Sequence, residues 1–140
     1  MIRNILILLF LLSGCCGSLY AQRTFRAFHL DSAISIDGVH EAERWEGADS
    51  ATQFTQMEPV SGHAASNPTV VYLGFDSENI YLSVNLYQET EVLAKAMTRD
   101  ALSKGDDCFA LVIDPYNDNR SGYGFWTNPL GIQTDFRIND

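Results

Sequence analysis

The last third of the chain is a succession of apolar runs that are too short to be helices. The run from Phe109 to Ile113 lies between acidic residues, whereas a helix that packs in a core needs roughly ten residues or more. A segment rich in Asn and Asp follows, and a second run, dense in aromatic side chains, then extends from Tyr123 to Thr127. Short runs separated by turn-forming residues predict antiparallel strands over 107–114, 123–127 and 132–138.

The middle of the chain predicts a β-hairpin. Two apolar segments, 69–75 and 80–87, flank the four residues Asp76-Ser77-Glu78-Asn79, a length typical of hairpin connections. The second segment alternates, so we expect its apolar side chains to face the core and Tyr81 to lie on the solvent face with Ser83, Asn85 and Tyr87. The predicted core face consists of Ile80, Leu82, Val84 and Leu86.

The segments before and after this hairpin give weaker patterns. Residues 33–36 alternate and predict a short first strand, which ends at the Asp37-Gly38 turn. Residues 40–45 predict one helical turn with Asp37 as its N-cap, and we expect Trp45 to be a packing anchor on the sheet. Residues 46–68 predict a loop, and residues 89–97 either a short helix or an irregular crossing.

Six predicted strands and almost no helix favour an all-β fold, namely an antiparallel β-sandwich of the immunoglobulin or jelly-roll type. The sequence stops soon after Ile138 without a closing turn. We therefore expect a sandwich that is truncated at its C-terminal end and that belongs to a longer protein with a further C-terminal domain. An open sheet edge of this kind pairs readily with other chains.

The first 21 residues predict a targeting segment, so that the domain itself covers 22–140. Arg3 precedes an apolar run, and small or polar residues follow it; the run is too short to span a bilayer. Cleavage after Ala21 by signal peptidase I is the first alternative. Lipidation of Cys15 within the Leu12–Cys15 lipobox is the second. Both predict export to the periplasm, the outer membrane or the medium.

Composition restricts the classes of partner. The chain has 18 acidic and 9 basic side chains and a net charge of −9, with no basic cluster, which argues against nucleic-acid binding because such a surface repels phosphates. Outside the targeting segment Cys108 is the single cysteine, so neither an internal disulfide nor a zinc site is expected.

Two segments together resemble the family 9 carbohydrate-binding module: 36–45, containing Ile36-Asp37-Gly38 and Trp45, and the strands over 106–131. In particular the chain resembles the module at the N-terminus of secreted bacterial proteins with a long C-terminal region. The resemblance extends from about residue 34 to the end. It implies non-catalytic polysaccharide binding, attachment to a protein of carbohydrate catabolism such as an O-glycosyl hydrolase, and in some members structural Ca²⁺.

A sugar-binding site needs flat aromatic faces together with planar polar groups that bond hydroxyls in pairs. Alternation places Trp126 on the opposite side of its strand from Tyr123 and Phe125. The candidate carbohydrate-binding residues are Trp126, Tyr123, Arg99, Asp107, Asn128 and Gln133. The alternatives are that Trp126 packs in a core and that Arg99 braces a loop through an ion pair.

The segment 114–122 has oxygen-bearing side chains at alternate positions ahead of a glycine, a pattern that suits Ca²⁺. Its candidate ligands are Asp114, Asn117 and Asn119. A simple Asn/Asp turn explains the same pattern.

No catalytic motif accompanies these features. A glycosidase needs two carboxylates at a fixed separation, but an acidic chain offers many such pairs by chance, and no nucleophile or nucleotide-binding motif is present. We therefore expect a binding module and not an enzyme. The alternative is a structural N-terminal domain of a cell-envelope protein that binds no glycan.

Overall fold

A computed structural model describes residues 24–101 and 105–139; the predicted targeting segment and Cys15 lie outside the described residues. The predicted all-β class is confirmed, with two antiparallel-rich sheets and no α-helix in the described part. No helix there is long and apolar enough to cross a membrane. The elements are β1 (Phe28–His29), a 3-10 helix (Ala42–Trp45), β2 (Ser50–Ala51), β3 (Thr69–Phe75), β4 (Ile80–Leu86), β5 (Phe109–Ile113), β6 (Gly122–Thr127) and β7 (Gln133–Ile138).

The chain divides into two compact units. Of the described residues, the first unit contains 24–52 together with 70–85, and the second contains 53–69, 86–101 and 105–139. Each unit has one sheet, and each is described separately below.

The first sheet is organised around β3. It pairs with β4, with β2 in antiparallel register (Ser50 opposite Tyr72) and with β1 in parallel register (Phe28 opposite Gly74). The parallel pair departs from the wholly antiparallel arrangement that we predicted. Two-residue strands have no periodicity of their own, so β1 and β2 depend on the partner that β3 provides.

The core of the first unit contains Leu30, Trp45 and Tyr81, all less than 9 % exposed. Gly74 makes the close packing of this core possible, because a Cβ atom there would lie 2.9 Å from Leu30 Cδ1 and 3.0 Å from the Trp45 ring. The prediction that Trp45 is a packing anchor is therefore confirmed.

The hairpin over 69–86 forms as predicted, but the predicted faces of β4 are wrong at both ends, since Leu86, which was expected in the core, is 55 % exposed. Ile80 is 62 % exposed and Tyr81 only 8 %. The Tyr81 hydroxyl donates to Asp76 Oδ2 (2.7 Å), and Asp76 Oδ1 also accepts from the N–H groups of Glu78 and Asn79. Because the hydroxyl has a partner at the turn, the ring is buried without an unsatisfied polar group.

Three further local predictions are corrected. Residues 33–36 are not a strand, since Arg44 Nη2 donates to the carbonyl groups of Ser32 and Ala33 and holds this segment as a loop. Asp37 accepts from the Val39 N–H within the turn and does not cap the 3-10 helix. The loop predicted over 46–68 contains β2 and an isolated bridge between Thr55 and Ala64. Residues 89–97 are irregular, as one of the two alternatives predicted.

The second sheet has the order β5-β6-β7, and both pairs are antiparallel. In its middle row Leu111 lies opposite Phe125, and Phe125 opposite Asp135. Among its described residues the second unit has no apolar side chain that is less than 9 % exposed. This sheet therefore presents side chains on both faces that are at most partly covered.

Candidate functional site

Strand register separates the second sheet into two faces, because neighbouring residues of a strand point to opposite sides. We call one the tyrosine face; on β6 and β7 it consists of Tyr123, Phe125, Thr127, Gln133, Asp135 and Arg137. We call the other the tryptophan face; it consists of Gly122, Gly124, Trp126, Thr134, Phe136 and Ile138. The predicted sugar-binding residues are therefore divided between two surfaces.

Trp126 is partly buried on the tryptophan face. Its ring packs edge-on against Phe136, with ring centroids 6.4 Å apart, and Phe136 in turn covers Gly124, where a Cβ would lie 2.2 Å from the phenyl ring. A hollow of about 30 Å³ beside Trp126 is also lined by Asp106, Cys108 and Asn128. That volume has room for only about two or three water molecules, so the hollow is too small for a sugar ring.

The tyrosine face is open to solvent. Tyr123 and Phe125 are 42 % and 45 % exposed, and they lie two residues apart on the same strand. Arg99 reaches this face: Nη1 donates to Gln133 Oε1 (3.2 Å) and Nη2 donates to Asp135 Oδ1, while Nε lies 3.8 Å from Asp100 Oδ2. Arg99, Gln133 and Tyr123 thus share one surface, and the loop-brace alternative for Arg99 describes its contacts.

Asp107 lies before β5 and holds the 88–93 segment. Its Oδ2 accepts from Leu93 N–H (2.8 Å) and from Gln88 Nε2 (3.1 Å). These bonds, the Leu93 N–H first, lower the pKa of the Asp107 carboxyl because they stabilise its charged form. The carboxylate is therefore already occupied by the chain itself.

Asn128 closes the turn between β6 and β7 and fastens it to the 94–106 region. Its Oδ1 accepts from the N–H groups of Leu130 and Ile132, both at 3.0 Å. Its Nδ2 donates to Ala96 O (3.1 Å) and to Asp106 Oδ2 (3.2 Å). Binding of a hydroxyl by this amide requires at least one of these bonds to be exchanged.

The predicted calcium segment is a loop built on Asp114. Its carboxylate accepts from the N–H groups of Tyr116, Asp118 and Asn119 at 2.9–3.3 Å. Asn117 and Asn119 have positive φ angles of 51° and 55°, which Asn tolerates better than most residues. The described part of the chain has no group of three or more His, Cys, Asp or Glu side chains that could hold a metal ion. The Asn/Asp turn accounts for this geometry, and Ca²⁺ binding stays a prediction.

Two residues at these surfaces, Phe125 and Arg137, were not among the predicted site residues. Alternation along β6 places Phe125 on the same face as Tyr123, whereas the position of Arg137 on that face follows from the register of β7 against β6. Asp106 accepts from the N–H groups of Lys95 and Ala96, both at 2.9 Å. Nothing local in the sequence distinguishes this role from that of any other exposed aspartate.

Comparison of the chain with family models, curated proteins and solved structures found no match in any of the three. The resemblance to the family 9 module therefore stays a hypothesis that rests on the residues quoted above.

Proposed function

We propose that the chain is an exported, non-catalytic module of the family 9 type that binds a polysaccharide across the tyrosine face. The observation that carries the proposal is the exposed pair Tyr123 and Phe125 on the sheet face where Arg99 contacts Gln133. Export through the 1–21 segment and attachment to a protein of carbohydrate catabolism are parts of the same proposal.

The chemistry of this face supports sugar binding in two ways. The rings offer apolar surface for the C–H groups of a pyranose, and aromatic side chains are rigid platforms that lose little entropy on binding. The guanidinium of Arg99 and the amide of Gln133 are planar groups that bond hydroxyls in pairs. An open sheet surface suits a polymer that lies along it better than a small ligand, which is usually bound in a cleft.

Affinity electrophoresis through gels that contain soluble xylan, glucan or mannan tests the proposal. We expect at least one polymer to retard the wild-type chain. Tyr123→Ala should weaken binding by about 1–3 kcal/mol, a range taken from aromatic stacking on bases as an analogue. The matched control is Tyr116→Ala, because Tyr116 is 74 % exposed but lies in the loop after β5. Trp126→Ala tests the tryptophan face: loss of binding there with full binding in Tyr123→Ala would move the site to Trp126.

One observation favours a structural role as the second candidate function. The side chains of Arg99, Asp107 and Asn128 are bonded to other groups of the chain, as expected of residues that only hold a fold. If no glycan retards the wild-type chain, the binding proposal is wrong and the structural role explains these contacts.

A further inference from the structure

We propose that the polysaccharide bound at the tyrosine face is acidic, and that it contains uronic acid units whose carboxylates bond to Arg137. This inference rests on the proposed function and adds the chemical class of the polymer. Three features of the face support it: the position of Arg137 opposite Tyr123, the ion pair of Asp135, and the orientation of the Gln133 amide.

Arg137 lies directly opposite Tyr123 in the β6–β7 pair. Its side chain is exposed and makes no hydrogen bond or ion pair with another described residue. Directly opposite residues have Cβ atoms about 4.5–5.5 Å apart, so a pyranose that stacks on the Tyr123 ring has its substituents within reach of this guanidinium. A carboxylate suits the guanidinium because two parallel N–H groups can bond to its two oxygens.

The nearest acid on the same face of β7 is already paired. Asp135 lies two residues before Arg137, on the same side of the strand, where the two could otherwise form an ion pair. Instead Asp135 Oδ1 accepts from Arg99 Nη2, and Arg99 Nε lies 3.8 Å from Asp100 Oδ2. The pair with Arg99 neutralises Asp135 and leaves the guanidinium of Arg137 for a ligand.

The Gln133 amide directs its donor groups away from Arg99. Arg99 Nη1 lies 3.2 Å from Gln133 Oε1, and because a guanidinium can only donate, the amide oxygen is the atom that faces it. Gln133 Nε2 makes no hydrogen bond to another described residue, so its N–H groups are available to a ligand. The face therefore offers donors at both Gln133 and Arg137. A carboxylate only accepts, whereas the hydroxyl groups of a neutral sugar also donate.

The acidity of the whole chain does not exclude an acidic ligand. The net charge is −9, but exposed charges that are more than about 8 Å apart are largely screened at physiological ionic strength. Local groups therefore decide. In the loop before β6, the carboxylates of Asp114 and Asp118 accept N–H groups of the loop itself. Arg137 is thus the group that meets an anion at Tyr123.

Affinity electrophoresis with two matched polymers tests the class of ligand. Polygalacturonate is compared with the same polymer after chemical reduction of its carboxyl groups, so that the two differ only in the charged group. We expect the dissociation constant of the wild-type chain to be lower for polygalacturonate by about tenfold or more, because a hydrogen bond to a charged group is stronger than one to a hydroxyl.

Two variants test the residues. Arg137→Gln should raise the dissociation constant for polygalacturonate by about tenfold and remove most of the difference between the two polymers. Arg26→Gln is the matched control, since it makes the same charge change at an exposed residue of the first unit and should bind polygalacturonate as the wild type does. Gln133→Glu keeps an oxygen for Arg99 but replaces the outward N–H groups by a second oxygen, so it should also weaken binding of polygalacturonate. Circular dichroism shows whether each variant keeps its β structure.

The outcomes separate this inference from the proposed function. If the reduced polymer, xylan, glucan or mannan retards the wild type as strongly as polygalacturonate does, the inference is wrong and glycan binding stands. The same holds if folded Arg137→Gln binds polygalacturonate as tightly as the wild type. If no polymer of either class retards the wild type, the proposed function itself is wrong, and the inference is wrong with it.

Discussion

The two units of this chain are stabilised in different ways. In the first, large side chains are buried: Leu30, Trp45, Val71 and Tyr81 are each 8 % exposed or less. In the second, no described apolar side chain is buried to that extent, and carboxylates and amides hold the loops to the sheet instead. The stabilising free energy from burial is proportional to the apolar area removed from water, whereas a single hydrogen bond contributes about 0.5–1.5 kcal/mol to stability.

The difference explains where a function is expected. The second unit keeps aromatic side chains on both faces of its sheet at least partly exposed. Exposed apolar surface of this kind marks sites of interaction. The first unit buries Trp45 and Tyr81 in its own core, although Phe25 and Phe75 are 39 % and 40 % exposed.

The largest expected effect is that of Trp45→Ala. The ring is 5 % exposed and lies against Gly74 and Leu30, so its removal should lower the free energy of unfolding by about 3–5 kcal/mol. Chemical denaturation measures this loss. Trp126→Ala is the matched variant in the second unit, and its loss should be clearly smaller because that ring is only partly buried. Equal losses would show that the second unit also depends on a buried core.

A smaller effect is expected for Asn128→Ala. This change removes two hydrogen bonds within the β6–β7 turn and two that join the turn to residues 96 and 106. We expect a loss of about 1–3 kcal/mol in the free energy of unfolding, since some of the freed groups can bond to water. The control is Asn67→Ala, because Asn67 is exposed and makes no side-chain hydrogen bond within the described residues. If both variants unfold alike, these polar contacts do not stabilise the second unit.

The strands over 69–86 and 109–138 could be predicted because their signals are local. Alternation defines each strand, and the turn formers at Asp76 and Asn128 separate them. The faces of β4 could not be predicted from the sequence, because Tyr81 is buried by Leu30 and Trp45, which are distant in sequence. The candidate sugar-binding residues were chosen by type, and type alone does not reveal that Asp107 and Asn128 bond to the chain itself.

The division of those candidates between two faces, in contrast, follows from alternation. Tyr123 and Trp126 are three residues apart on one strand and must point to opposite sides. Arg99 comes from another segment, and its contact with Gln133 and Asp135 is a tertiary contact that no local pattern predicts.

The smallest expected effect concerns acid, which should affect the second unit first. The pKa of Asp107 is lowered by the Leu93 N–H and then Gln88, and that of Asp118 by the N–H groups of Ser121 and Arg120. A carboxyl whose pKa is lower in the folded state stabilises the fold fully above its ordinary value of 3.8, and this contribution is lost as the pH falls through the folded value. In the first unit the pKa of Asp76 is lowered in the same way, mainly by the N–H of Glu78, but the buried core of that unit does not change its protonation state in acid.

Two single-tryptophan variants report on the units separately. Trp126→Phe leaves Trp45 as the reporter of the first unit, and Trp45→Phe leaves Trp126 as the reporter of the second. In fluorescence titrations from neutral pH to below 3.8 we expect the Trp126 signal to change at the higher pH. Coincident transitions would show that the two units unfold together, and an earlier change at Trp45 would mean that the polar contacts of the second unit resist acid better than the core of the first.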